Sequence, residues 1–174
     1  DLGAQTMMQV INRAEPQANL PLYLQAVDTL LAWQLSSKPG LLPPYDEALL
    51  SRELALFPDW YITQHKGVPI DEAMRFTLDN TFKQIITTVL THPGVYVHRD
   101  FMPRNLMVGE HLGVLDFQDA VYGPITYDIA SLMRDAFLSW EEDFCLDVTI
   151  RYWEKARKAG LPVGDDFGEF YRGV

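Results

Sequence analysis

The chain has 174 residues, enough for one domain with its own core, and a globular composition: 48% hydrophobic and 22% charged, with four Trp, eight Tyr and nine Phe. Its net charge of −10 argues against non-specific nucleic-acid binding and against docking on anionic lipid, both of which need excess positive charge. No run reaches the roughly 18 apolar residues of a membrane span, no signal-peptide layout opens the chain, and the single cysteine, Cys145, has no intrachain partner, so a reducing cytoplasm is the expected location.

Asp1-Leu2-Gly3-Ala4 is too short to assign alone. From Leu20 to Trp33 apolar residues recur at helical spacing (Tyr23, Val27, Leu30, Leu31), with Asn19 as a possible cap and Pro21 tolerated in the first turn. Ser36 to Gly40 stops that helix, and Pro43-Pro44 keeps the next connection extended. Asp46 caps a predicted helix to Phe57, its inner side being Leu49, Leu50, Leu54 and Phe57; Pro58 is expected to break it, with Trp60 and Tyr61 at its end. Asp71 opens a long amphipathic helix to Leu90, ended by His92-Pro93-Gly94.

Three short strands are predicted next. Val95 to Val97 leads into a polar loop, Leu106 to Val108 follows it, and a turn at Gly109-Glu110 returns the chain through Gly113 to Leu115. Tyr122-Gly123-Pro124 reads as a turn, Thr126 or Asp128 starts a helix through Phe137, and a further helix spans Ser139 to Ala159. The last residues read as loop. The expected fold class is α+β, mainly α: a helical body with one small β-insert.

The loop of that insert, His98-Arg99-Asp100-Phe101-Met102-Pro103-Arg104-Asn105, has the spacing H-R-D-x-x-x-x-N, and Asp116-Phe117 follows the third strand. Phosphoryl transfer to an alcohol needs a carboxylate beside the attacking hydroxyl and ligands for the metal that accompanies the nucleotide. Asp100 is the candidate base. Asn105 and Asp116 are hard oxygen donors suited to Mg2+, and a strand-turn-strand between them brings both to one place. His98 is read as a brace, its ring donating to backbone or to a buried carboxylate such as Asp128. Arg104 and Arg99 are placed to neutralise phosphoryl charge or to face solvent.

Plainer readings exist for each. An isolated His-Arg-Asp triplet is commonly surface polarity; it is Asn105 and Asp116 at their offsets that favour catalysis or its relic. Asp128 is either a helix cap or a buried support, and Asp119 a second metal ligand, a supporting partner or a turn residue. Trp33, Trp140 and Trp153 read as core. Trp60 and Tyr61 are candidates for a wall on which a sugar stacks, or are core.

His98 to Val108, then Gly113 to Ala120, and Gly123 to Leu132 resemble the C-terminal lobe of the aminoglycoside phosphotransferase/choline kinase-like family, which has a protein-kinase-like fold. Leu42-Pro43-Pro44-Tyr45-Asp46 and Arg52 to Tyr61 are similar to its bacterial anomeric sugar kinases, which act on N-acetylmuramate and N-acetylglucosamine in cell-wall recycling. The resemblance implies ATP, or another nucleoside triphosphate, with Mg2+, and a small-molecule amino sugar or related alcohol as partner. It implies Asp100 as base, Asn105 and Asp116 as metal ligands, Asp128 as the carboxylate steadying the loop, and Asp119 as further support. Asp1, Leu2 and Gly3 then belong to the hinge where backbone meets adenine, and Glu53 joins Trp60 and Tyr61 as a candidate substrate contact.

The family's glycine-rich phosphate cover and phosphate-gripping lysine are absent, since there is no G-x-G-x-x-G and Lys38, Lys66, Lys83, Lys155 and Lys158 fall in predicted loops or helices. Residues 1–174 are therefore expected to be a single lobe truncated at both ends, with 1–4 a hinge remnant and 95–119 the catalytic and metal-binding loops. Alone it is expected to be inactive and, lacking the smaller lobe, to self-associate. A protein kinase is set aside, because Gln118 replaces glycine after Asp116-Phe117 and no room remains for an activation loop. An aminoglycoside, choline or homoserine kinase of the same fold, and a non-catalytic binding lobe, are the remaining alternatives.

Overall fold

The computed structural model describes residues 2–174. In chain order its elements are β1 (Gln5–Thr6), α1 (Met7–Val10), α2 (Leu20–Leu35), α3 (Glu47–Leu56), α4 (Glu72–Val89), β2 (Gly94–Val97), β3 (Leu106–Val108), β4 (Gly113–Val114), β5 (Val121–Pro124), α5 (Tyr127–Met133), α6 (Glu142–Lys158) and α7 (Phe167–Tyr171). This is the mainly helical α+β arrangement that the apolar periodicities predict. No helix among the described residues is long and apolar enough to cross a membrane.

The main core lies where α2 meets α6. The helical spacing of α2 turns Tyr23, Ala26, Val27, Leu30 and Leu31 inward, and α6 answers with Phe144, Cys145, Val148, Tyr152 and Trp153. Tyr23 meets Phe144 edge-on at 5.3 Å, and the buried Tyr152 hydroxyl donates to Gln34 Oε1 at 2.6 Å. Ile129, Leu132 and Met133 of α5 close this core. Burying each large apolar side chain contributes about 1.5–3 kcal/mol. Trp153 is buried as predicted, whereas Trp33 and Trp140 are only partly buried against the same cluster. A smaller cluster joins Tyr45, Leu50, Ile86, Val97 and Val121, and so connects α3 and α4 to β2 and β5.

Several local expectations are corrected. The strands form two ladders rather than one insert: β1-β3-β4 in one antiparallel sheet, and β2 paired with β5 in another. Tyr122-Gly123-Pro124 is therefore strand, with Val95 opposite Gly123 and Val97 opposite Val121. Proline is accommodated because it is the last residue of β5, where the ladder asks for no further donor. Pro58 does not end the helical path: it is the second residue of a π-helical stretch, Phe57–His65, that continues directly from α3. The helix predicted through Phe137 stops at Met133, and the next begins at Glu142 rather than Ser139.

Asp46 and Asp71 cap α3 and α4 as expected, accepting from Leu49 N and Met74 N. Asn19 does not cap α2. Its amide bonds backwards instead, donating to the carbonyls of Asn12, Glu15 and Pro16 and accepting from Asn12 N. The last residues hold a short helix, α7, capped by Asp166 and anchored by buried Phe170. The apolar sides of α3 and α4 are thinly covered, with Leu50 and Ile86 their only fully buried residues and Phe57 exposed.

Candidate active site

β2 delivers the chain to the loop through three buried residues, Val95, Tyr96 and Val97, followed by the fully buried His98. The loop then turns sharply. Arg99 takes φ = 77°, in the left-handed region, which costs a non-glycine residue on the order of 1–3 kcal/mol and persists only when its surroundings hold it. Asp128, in the first turn of α5, holds it: Oδ2 accepts the His98 N–H at 2.7 Å and Oδ1 the Arg99 N–H at 3.1 Å. Asp128 is wholly buried. Burial pushes its carboxyl up to about 7 against the downward pull of those two N–H groups. Of the two readings of Asp128, the structure has it as buried support, and Thr126 precedes α5.

After Arg99 the chain curls through Met102 N–H to Asp100 O and Asn105 N–H to Met102 O, both 2.9 Å. Asn105 Nδ2 donates to the Asp100 carbonyl at 3.0 Å, so the amide is held by its nitrogen and its oxygen remains an acceptor. β3 and β4 then fold back in the register Leu106–Val114, and Leu115 N–H reaches Asn105 O at 2.9 Å. This return sets Leu115, the residue before Asp116, against Asn105. Asp116 is the second left-handed non-glycine residue, φ = 69°, and its Oδ1 accepts from Gln118 at 2.9 Å.

The His98 ring lies between Trp33 and Phe101, whose centroids are 5.9 and 6.0 Å away. Burial holds its pKa below the ordinary imidazole value, against the opposing pull of the Leu115 carbonyl and of Asp100 and Asp116. The ring makes no hydrogen bond to Asp128, whose contact is with the His98 backbone N–H instead; of the two expected acceptors, the one facing the ring is backbone, the Leu115 carbonyl. The carboxylates of Asp100 and Asp116 both act on this one ring, and both are exposed.

The remaining candidates divide. Arg99 turns inward, its guanidinium donating to Glu53 and, at 3.4 Å, to the Asp119 carbonyl; Asp119 thus supports the loop through its backbone. Glu53 also accepts from the Tyr45 hydroxyl. Arg104 lies over the Phe137 ring at 4.8 Å instead of forming an ion pair. Trp60 is 66% exposed, and Tyr61 stacks on Phe57 and His65 at 5.6 Å each, so neither is core.

Asp1 lies outside the described residues. Gly3 has φ = +102°, and a Cβ there would sit 2.2 Å from the Val108 carbonyl oxygen; only glycine lets the chain run this close to the end of β3. β1 continues the path, pairing Gln5 with Val108, so residues 2–3 lie on the same hairpin that carries Asn105 and Asp116. Sequence reasoning missed Tyr45. Its signal was Pro43-Pro44, since this extended segment pairs with β5 through Tyr45 N–H to Tyr122 O and Tyr122 N–H to Pro43 O, both 2.8 Å.

Among the described residues no group of three His, Cys, Asp or Glu could hold a metal. Asn105 and Asp116 supply two hard oxygen donors, which suits Mg2+, an ion that keeps several waters and takes phosphate oxygens.

A helical lobe with a catalytic-type loop beside a two-stranded return is a kinase-like phosphotransferase architecture, and residues 1–167 match the phosphotransferase enzyme family. The chain belongs to that family. It is 47% identical over 174 residues to the N-acetylmuramate/N-acetylglucosamine kinase of Neisseria meningitidis serogroup B, covering 99% of this chain and 52% of that protein. The like-named Pseudomonas aeruginosa kinase is 44% identical over 173 residues, covering 99% and 50%. The chain thus spans about half the length of these curated relatives. Among solved structures it resembles aminoglycoside-3'-phosphotransferase of type VIII, with a TM-score of 0.64 at 15% identity, covering 99% of this chain and 65% of that one.

Proposed function

We propose that the protein carrying this chain moves the γ-phosphoryl group of ATP, or another nucleoside triphosphate, to the anomeric hydroxyl of N-acetylmuramate or N-acetylglucosamine. The observation that supports the reading is the β-return that brings Leu115, the residue before Asp116, onto the Asn105 carbonyl, while the Asn105 amide holds the Asp100 carbonyl. The names of the relatives at 44% and 47% identity support the substrate class. Cell-wall recycling in the cytoplasm follows from that substrate class.

In this mechanism the sugar hydroxyl approaches Asp100. As its oxygen bonds to the γ-phosphorus, the bond to the β–γ bridging oxygen breaks, ADP departs, and Asp100 takes the hydroxyl proton. Asn105 and Asp116 would hold Mg2+, which when bound offsets charge on the phosphate oxygens. Leu2 and Gly3 offer backbone groups to the adenine from the neighbouring hairpin. A half-length chain holds the base and the metal ligands but no glycine-rich phosphate cover. Residues 1–174 are accordingly one lobe of a two-lobed enzyme and do not turn over ATP alone.

The test is to supply the full-length protein with MgATP and N-acetylmuramate, N-acetylglucosamine, choline or kanamycin. Phosphate is expected at the sugar's anomeric oxygen. Phosphate on an amine-rich drug alone would overturn the reading. Asp100→Asn is expected to lower kcat by about 10²–10⁴-fold with the fold intact.

A further inference from the structure

We propose that Glu53 is a positioning residue, which through Arg99 and Tyr45 fixes the backbone turn presenting Asp100 and does not touch the sugar. The inference rests on the phosphoryl-transfer reading above and changes the part assigned to Glu53 by resemblance.

Both Glu53 oxygens are already engaged. Oε1 accepts from Arg99 Nη2 and Oε2 from the Tyr45 hydroxyl, and the Glu53 and Arg99 side chains are only 26% and 25% exposed. Tyr45 is itself fixed. Its backbone pairs with Tyr122, its ring lies 5.1 Å from that of Tyr127, and the Arg99 guanidinium rests 5.9 Å from its centroid. Burial and the carboxylate of Glu53 hold the Tyr45 hydroxyl well above the ordinary phenol range, so it remains a proton donor.

The restraint acts where the loop is least able to hold itself. Arg99 is left-handed at φ = 77°. Asp128 holds its backbone N–H, and Glu53 and the Asp119 carbonyl hold its side chain. Asp100 is the next residue, so a backbone rotation at Arg99 swings the base directly. Displacing a reacting group by about 1 Å can cost on the order of a hundredfold in rate. Glu53 belongs to α3, which runs on into the stretch bearing Trp60 and Tyr61. The clamp therefore sets the candidate sugar wall and the base in one frame.

The experiment uses the full-length protein with MgATP and N-acetylglucosamine. Glu53→Gln keeps the size and removes the charge. It is expected to lower kcat by about 10- to 100-fold while both KM values stay within about twofold. Adding Arg99→Met should lower kcat no further, because the two residues act as one unit. Faster amide exchange over residues 98–102 is expected in the same variant.

A raised sugar KM with unchanged kcat would mean direct sugar contact and would overturn the proposal; so would unchanged kinetics. If the wild type phosphorylates no sugar, the proposed function fails, and exchange at 98–102 alone decides the clamp: unchanged rates refute it. Should Glu53→Gln not fold, Tyr45→Phe, which deletes one bond to Glu53, is expected to lower kcat with KM kept, and unchanged kcat again refutes it.

Discussion

Asp128 shows how a single buried carboxyl ties the geometry of the 98–99 turn to pH. Its pKa rises from 3.8 to about 7 because burial outweighs the two N–H bonds it accepts. Between those values the folded state keeps a proton that the unfolded chain has released. Stability from this group is therefore fully present below about pH 4, is lost as pH rises towards 7, and is flat beyond. Asp128→Asn mimics the protonated acid and removes that slope. Urea midpoints from pH 5.5 to 8 should show the variant gaining on the wild type up to about pH 7 and tracking it in parallel above. A constant difference across the range would count against a raised pKa. Of this constellation, Asp100, Asn105 and Asp116 were legible in the sequence because their chemistry depends on residue type and offset. The left-handed turn at Arg99 was not: nothing in an Arg–Asp dipeptide signals φ = 77°, which the surrounding bonds impose.

At the scale of elements, periodicity was legible wherever an apolar face meets a partner. α2 and α6 both follow their patterns, and they are joined by a buried polar contact that the patterns do not show. Removing the hydroxyl with Tyr152→Phe would leave Gln34 Oε1 buried without its donor, a loss of about 1–3 kcal/mol. Equilibrium unfolding in urea would read it, and an unchanged midpoint would show that water or Gln34 itself compensates. Turn residues misled where tertiary contacts decide. Gly-Pro predicts a turn at Gly123, yet its bare Cα lets Tyr45 approach: a Cβ there would meet Tyr45 Cβ at 2.5 Å. That atom is fixed to the backbone and cannot swing aside. Gly123→Ala should therefore part β5 from the 43–45 segment, destabilise by about 1–3 kcal/mol, and lower kcat of the full-length protein by disturbing Tyr45 beside Glu53. Full activity with native stability would show that the segment shifts without consequence.

For the whole molecule, two properties pull in opposite directions. The net charge of −10 keeps copies apart. Against it stands an apolar surface along α3, the π-helical stretch and α4, where Phe76 is 71% exposed and Trp60 66%, with Leu56, Phe57, Ile85 and Leu90 also exposed. Exposed apolar side chains gathered on elements that pack together, as α3 does with α4 and with the π-helical stretch, commonly mark an interface. The isolated 174-residue chain should accordingly self-associate as its concentration is raised. The sign of the salt effect separates the causes. Added salt screens the like-charge repulsion over about 10 Å at 0.1 M and leaves apolar contact intact, so association should strengthen from low to moderate ionic strength. An association built on ion pairs would weaken instead. Sedimentation velocity at several salt concentrations measures this, with Phe76→Glu as the control expected to shift the chain towards monomer. A species that stays monomeric at every concentration and salt level would mean that this surface is too dispersed to drive pairing.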